Sequence, residues 1–157
     1  MPSVLFVCTA NICRSPMAMA ILRSIVGGRA EKWRIESAGT WAIEGMPSDP
    51  KTQNVLSERG LDIRSHRSRA VSKDLVNSFD LILTMEQGHQ EALQIEFPSA
   101  AEHIYMLSEL IGLRQNIGDP IGGTIADFQK TADEIEHLLT DGFETILRLT
   151  GCKDQDL

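Results

Sequence analysis

The chain opens on an apolar run, Ser3 to Val7, that ends at Cys8 and leads within a few residues to Arg14-Ser15-Pro16. The run does not alternate between polar and apolar residues, which suits a strand covered on both faces inside a parallel sheet. Ser15-Pro16 then predicts a helix start, with Ser15 as the capping side chain and Pro16 at the first helical position, where its missing N–H costs nothing. Cys8 and Arg14 thus bracket a short loop between a buried strand and a helix N-terminus. Backbone N–H groups in such a turn can converge on an anion, the helix dipole favours negative charge there, and a guanidinium adds a bidentate contact. The segment from Cys8 to Ser15, through Thr9, Ala10, Asn11, Ile12, Cys13 and Arg14, therefore reads as a phosphate-binding loop. Its positive field favours the nucleophilic thiolate of Cys8. A packing cysteine at a strand end is the plainer alternative, but it does not account for Cys, Arg, Ser and Pro falling together at one junction. No Walker-type nucleotide loop occurs in the chain.

Further along, Met17 to Val26 continues the first helix until Gly27-Gly28 stops it. Arg34 to Ser37 reads as a second strand, residues 38 to 50 as a glycine- and proline-rich loop, and Lys51 to Arg59 as a helix ended by Gly60. Asp80 to Thr84 is the third strand, Gln87 to Ile95 a helix, and His103 to Leu107 the fourth strand. After a loop from Asn116 to Gly123, apolar residues from Ile125 to Leu149 recur every three or four positions, marking a long terminal helix that Gly142 can interrupt. Strands alternating with helices, joined by right-handed crossovers, imply an α/β fold. It would be a doubly wound, four-stranded parallel sheet with helices on both faces, in a single domain over residues 1–157. Ligands in such folds bind beyond the carboxyl ends of the strands, where Cys8 lies.

Composition narrows the function. A formal net charge of -7 argues against a general nucleic-acid or anionic-membrane binder, so any phosphate chemistry must use a local cationic pocket. Cys8 and Cys13 sit too close in sequence for a secreted disulfide framework, which together with the lack of a signal peptide or membrane-length segment predicts a cytoplasmic protein. His89, His103 and His137 show no metal-ligand spacing, and neither a metal nor another cofactor is expected.

Four segments in order, Val7-Cys8-x-x-Asn11-x-Cys13-Arg14-Ser15-Pro16, Glu36-Ser37-Ala38-Gly39-Thr40, Ser65-His66-Arg67-Ser68-Arg69 and Asp119-Pro120, resemble the low-molecular-weight protein tyrosine phosphatases nearly end to end. The resemblance implies that Cys8 is the nucleophile, that Arg14 binds phosphate and stabilises the transition state, and that Ser15 donates a hydrogen bond to the thiolate. It implies that Asn11 and Ser37 shape the loop and that Asp119 is the general acid, then the base that activates water. From the residues alone, an Asp-Pro in a glycine-rich loop is as readily a turn. The resemblance also implies a reversible Cys8–Cys13 disulfide protecting the nucleophile; a cysteine at a helix start could equally be structural. Cys152 has no evident role. The expected partners are phosphorylated protein side chains, met by a monomer or weak dimer.

The chain departs from the family in three places. Ala10 stands where glycine is usual, and alanine is strained if the position needs a positive φ. Ile121-Gly122-Gly123 follows Asp119-Pro120 where tyrosine-specific members carry an aromatic wall; Gly-Gly there resembles the protein-arginine phosphatase branch, whereas Ile12 resembles the tyrosine branch. Trp41 could supply a replacement wall, or it could pack beneath its loop. The basic cluster Arg64, His66, Arg67, Arg69 reads as a docking patch, a solvated face or a set of internal ion pairs. In the family, the His66 and Arg69 positions look structural. Two other functions compete with tyrosine and arginine dephosphorylation. A thioredoxin-coupled arsenate reductase would need a cysteine relay around residues 80–89, and none is present. A phosphate-binding module without turnover would need neither a thiolate nor an acid.

Overall fold

A computed structural model describes residues 1–153 of the chain. β1 (Ser3–Cys8) is buried along its whole length. It pairs in parallel with β2 (Arg34–Gly39) on one side and β3 (Leu81–Thr84) on the other, and β3 pairs with β4 (Ile104–Met106). The sheet order is β2-β1-β3-β4, so the winding direction reverses between β1 and β3, and the crevice beyond Cys8 lies at that reversal. At the opposite end Asp80 ties the two central strands together: its carboxylate accepts from the Ser3 N–H and hydroxyl, both at 3.0 Å.

The two-residue period of β1 divides its side chains between two cores. Val4, Phe6 and Cys8 face one that contains Met17 and Leu22 of α1 (Arg14–Val26) and Phe128, Ile135 and Leu139 of α5 (Ile125–Asp141). Leu5 and Val7 face the other, closed by Leu93 of a helix over Gln87–Glu96, and by Val76 and Phe79. The intervening helices are α2 (Pro50–Glu58), α3 (Lys73–Val76) and α4, the Gln87–Glu96 helix just described, and α6 (Phe143–Leu149) closes the order. A doubly wound α/β sheet with helices on both faces is therefore what the chain forms.

Several boundaries differ from the sequence reading for physical reasons. Ser15 does not cap α1: the helix begins at Arg14, Cys13 occupies the cap position without a side-chain bond, and the Ser15 hydroxyl is engaged elsewhere. α2 starts one residue early, because the Asp49 carboxylate accepts from the Lys51 N–H at 2.8 Å and Pro50 takes the first helical position. α3 is a single turn capped by Ser72, too short to leave a periodic signal. β2 runs on to Gly39, and β4 is trimmed to three residues between 3₁₀ turns. The terminal helix does break at Gly142, where a Cβ would lie 2.5 Å from the Leu110 Cβ, so only glycine lets the chain pass that close.

Candidate active site

The loop between β1 and α1 is pinned by Asn11. This side chain is fully buried, and its φ of 59° makes it the only non-glycine residue with positive φ among the described residues; asparagine tolerates that region better than most residues. Its Nδ2 donates to Ser15 Oγ at 2.8 Å and to Ser37 Oγ at 2.9 Å, and its Oδ1 accepts from the Arg69 N–H at 3.0 Å. Its backbone carbonyl accepts from His66 Nε2 at 2.9 Å. A carbonyl can only accept, so Nε2 carries the proton, and burial lowers the pKa of this ring below its ordinary value. Ala10 has no positive φ; the strain feared at this position does not arise, because Asn11 carries the left-handed turn.

Gly39 makes the loop's path possible. A Cβ there would lie 2.4 Å from the Thr9 carbonyl oxygen and 3.1 Å from the Asn11 nitrogen, so only glycine fits. Immediately beyond it, Thr40 N–H donates to the Cys8 carbonyl and Trp41 N–H to the Thr9 carbonyl, both at 2.9 Å. The amides of residues 10–13 donate to no protein acceptor among the described residues, leaving them available to an anion.

Cys8 is buried, with its Sγ 3.0 Å from Ser15 Oγ. Because Asn11 already donates to that oxygen, the Ser15 hydrogen is free for the sulfur, an arrangement that suits a thiolate acceptor. Arg14 is 1% exposed. One end of its guanidinium, Nη1, donates to Glu86 Oε2 at 2.8 Å and to the Ile117 carbonyl at 2.7 Å. Nη2 lies 3.5 Å from Asp119 Oδ2, and the buried Nε has no hydrogen-bond partner. A buried donor left unmatched is costly, and the fork of Nε and Nη2 is the shape that a phosphate or carboxylate matches bidentately.

Asp119 is exposed at the mouth of this site, on a loop held from within. Its Oδ1 accepts from the Ile121 N–H at 3.1 Å, Gly123 N–H donates to the Pro120 carbonyl at 2.8 Å, and Lys51 Nζ donates to the Gly123 carbonyl at 2.5 Å. The fold thus brings Asp119 to Arg14 across 105 positions of sequence. Thr9 and Ile12 are half-buried in the loop and Ser37 sits beneath it. Trp41 is 86% exposed; it does not pack under its loop, and Ile43, Met46 and Ile121 are exposed apolar residues like it. Cys13 is buried, and burial pushes its thiol up to about 12. No disulfide joins it to Cys8.

The basic cluster resolves into separate parts. His66 and Arg69 brace Asn11, Arg69 also donates to Glu36 Oε1 at 2.7 Å, and exposed Arg64 pairs with Asp62 at 2.8 Å. Two residues of the site were not singled out from sequence. Glu86 holds Arg14, and His89 Nε2 lies 2.8 Å from Thr9 Oγ1. Both stand at the start of α4 just after β3, and the signal that could have found them is their position at the carboxyl end of a central strand.

A buried thiol and a half-satisfied arginine at a strand-to-helix loop, with a carboxylate at the rim, define a cysteine-dependent phosphatase. Comparison with known proteins agrees. The chain belongs to the low molecular weight phosphotyrosine protein phosphatase family, whose model matches residues 3–149. It is 35% identical over 137 residues to a protein-arginine-phosphatase of Geobacillus stearothermophilus, covering 87% of this chain and 90% of that protein. To the low molecular weight phosphotyrosine protein phosphatase of Homo sapiens it is 35% identical over 134 residues, covering 81% of this chain and 84% of that protein. The solved structure of a low molecular weight protein tyrosine phosphatase from T. tengcongensis superposes with a TM-score of 0.87 at 35% identity, covering 92% of this chain and 99% of the other.

Proposed function

We propose that this phosphatase acts on phosphorylated protein side chains, phosphotyrosine first among them, through a phosphocysteine on Cys8. The observation that carries the reading is the Arg14 guanidinium, clamped at one end by Glu86 and Ile117 while its buried Nε has no partner. In the first step the Cys8 thiolate attacks phosphorus, the bond from phosphorus to the side-chain oxygen breaks, and Asp119 gives its proton to that oxygen. Arg14 and the loop amides hold the phosphoryl oxygens as charge builds on them. In the second step Asp119, now a carboxylate, takes a proton from water as the water oxygen attacks phosphorus. The S–P bond breaks and inorganic phosphate leaves. Ser15, freed by Asn11 to donate, stabilises the sulfur as nucleophile and as leaving group. No helix of the described residues is long and apolar enough to cross a membrane, and the reading includes a reducing, cytoplasmic setting in which Cys8 stays a thiol.

Trp41 favours tyrosine: it stands exposed on a loop whose backbone is bonded to the carbonyls of Cys8 and Thr9, where it can flank an aromatic ring. Gly122 and Gly123 after Pro120 favour the second reading, a protein-arginine phosphatase, because they leave the stretch that follows Asp119 without an aromatic side chain. The test is phosphate release from phosphotyrosine and phosphoarginine peptides in parallel under reducing conditions. Turnover of phosphotyrosine that is abolished by Cys8→Ser and weakened by Trp41→Ala supports the first reading. Turnover confined to phosphoarginine selects the second.

A further inference from the structure

His89 is a buried titratable side chain to which the mechanism above assigns nothing. The Glu86 N–H donates to its Nδ1 at 3.2 Å. An amide can only donate, so Nδ1 presents its lone pair and the hydrogen of the neutral ring is on Nε2. Burial and the charge of Arg14 hold the ring's pKa below its ordinary value, with Glu86 and Asp119 acting in the opposite sense. The Nε2–H meets Thr9 Oγ1 at 2.8 Å, and Glu86 Oε2, the atom that accepts from Arg14, lies 3.5 Å from the same nitrogen. The imidazole therefore sits between the residue that follows the nucleophile and the carboxylate that holds the arginine. Since the Thr9 carbonyl is already bound by the Trp41 N–H, His89 fixes the second polar group of Thr9.

We propose that His89 is a positioning residue for the phosphatase reaction, bracing Thr9 against the Glu86 arm so that the first turn of the phosphate loop and Arg14 keep a fixed spacing. This rests on the assignment of the Cys8 loop as the active site. It makes the His89 and Thr9 side chains one device, with the neutral ring as donor.

The experiment is a double-mutant cycle on p-nitrophenyl phosphate turnover with His89→Leu, Thr9→Val and the pair, alongside His89→Gln, which keeps a donor. His89→Leu is expected to lower kcat about tenfold, as loss of one positioning hydrogen bond does. KM should move less than kcat. The double variant should be no slower than the worse single one, and His89→Gln should recover part of the loss. Thermal unfolding of each variant is followed in parallel, because a merely structural role would give additive losses that track stability. Additive losses, or a His89→Leu enzyme with unchanged kcat, would overturn the proposal. Cys8→Ser in the same assay separates the two levels: residual full turnover there would overturn the active-site assignment itself.

Discussion

The side-chain amide of Asn11 reaches Ser15 Oγ at 2.8 Å and so turns the Ser15 hydrogen away from itself, toward the other neighbours of that hydroxyl. With one lone pair taken by an N–H donor, the hydroxyl is left to donate to Cys8 Sγ at 3.0 Å, the Ala38 carbonyl at 3.4 Å being the poorer acceptor. A backbone-shaping residue thereby orients a group that touches the nucleophile.

Ser15→Ala is accordingly expected to lower kcat by about ten- to a hundredfold, the range for a hydrogen bond to a charged group. Asn11→Ala should be worse than Ser15→Ala, since it also releases Ser37 and the Arg69 amide. Steady-state turnover of an aryl phosphate measures both, and an Ser15→Ala enzyme as fast as the parent would refute the orientation argument.

Gly39→Ala should distort the loop. A methyl 2.4 Å from the Thr9 carbonyl oxygen cannot be accommodated without moving the backbone, and such overpacking costs about 1–3 kcal/mol. Denaturant unfolding reads the stability loss and phosphate affinity reads the loop. Gly45→Ala, where no atom lies within 4 Å of the Cβ position but φ is +82°, controls for backbone strain alone.

In the proposed mechanism Asp119 protonates the leaving oxygen, so its removal should matter in proportion to how poor that leaving group is. Asp119→Asn is predicted to slow phosphotyrosine hydrolysis by about a hundred- to ten-thousandfold, the usual span for general acid catalysis, and to slow nitrophenyl phosphate, whose leaving group needs little protonation, much less. Equal losses on both would count against protonation of the leaving oxygen by Asp119 and leave it only the water-activating step, which the two substrates share.

Cys13 yields a prediction with a sign. Burial raises its thiol from the ordinary 9.0 to about 12, so below pH 9 it is neutral in both folded and unfolded chains and contributes nothing pH-dependent. Above pH 9 the unfolded chain ionises while the folded one does not, the unfolded state binds fewer protons, and stability falls as pH rises toward 12. Cys13→Ala should flatten that alkaline decline in urea unfolding. The same raised thiol predicts that iodoacetamide at mildly alkaline pH leaves Cys13 largely unmodified in the folded chain, which peptide mass mapping will show.

Much of this was legible in the chain because the informative residues are local. The unalternating run of β1 and the stops at Gly27 and Gly60 are set by near neighbours, and the cysteine-to-arginine spacing fixes the loop, although the helix starts at Arg14, two residues before the Pro16 start read from sequence. Ser15 was misread for a related reason: serine before proline is an ordinary cap, and only the tertiary arrangement of Asn11 and Cys8 diverts its hydroxyl. Glu86 and His89 escaped because their partners, Arg14 and Thr9, lie 72 and 80 positions away, and only their place at the carboxyl end of β3 marks them. Ala10 was judged by the usual preference of its position, whereas the left-handed turn falls on the next residue.

Arg14 is buried among the aliphatic side chains of the core, and the carbonyl that receives it belongs to Ile117, 103 residues downstream. The phosphate loop is complete in the first tenth of the chain, yet with Glu86 alone its arginine lacks the Ile117 carbonyl that fixes the same nitrogen and the Asp119 carboxylate beside Nη2 until the segment around Ile117 and Asp119 has docked. A nascent chain that has emerged only as far as β4 would contain the nucleophile and no competent catalyst. Recovery of turnover during refolding should therefore lag the formation of helix and sheet and coincide with closure of the last loop, making catalysis itself a clock for the final step of folding.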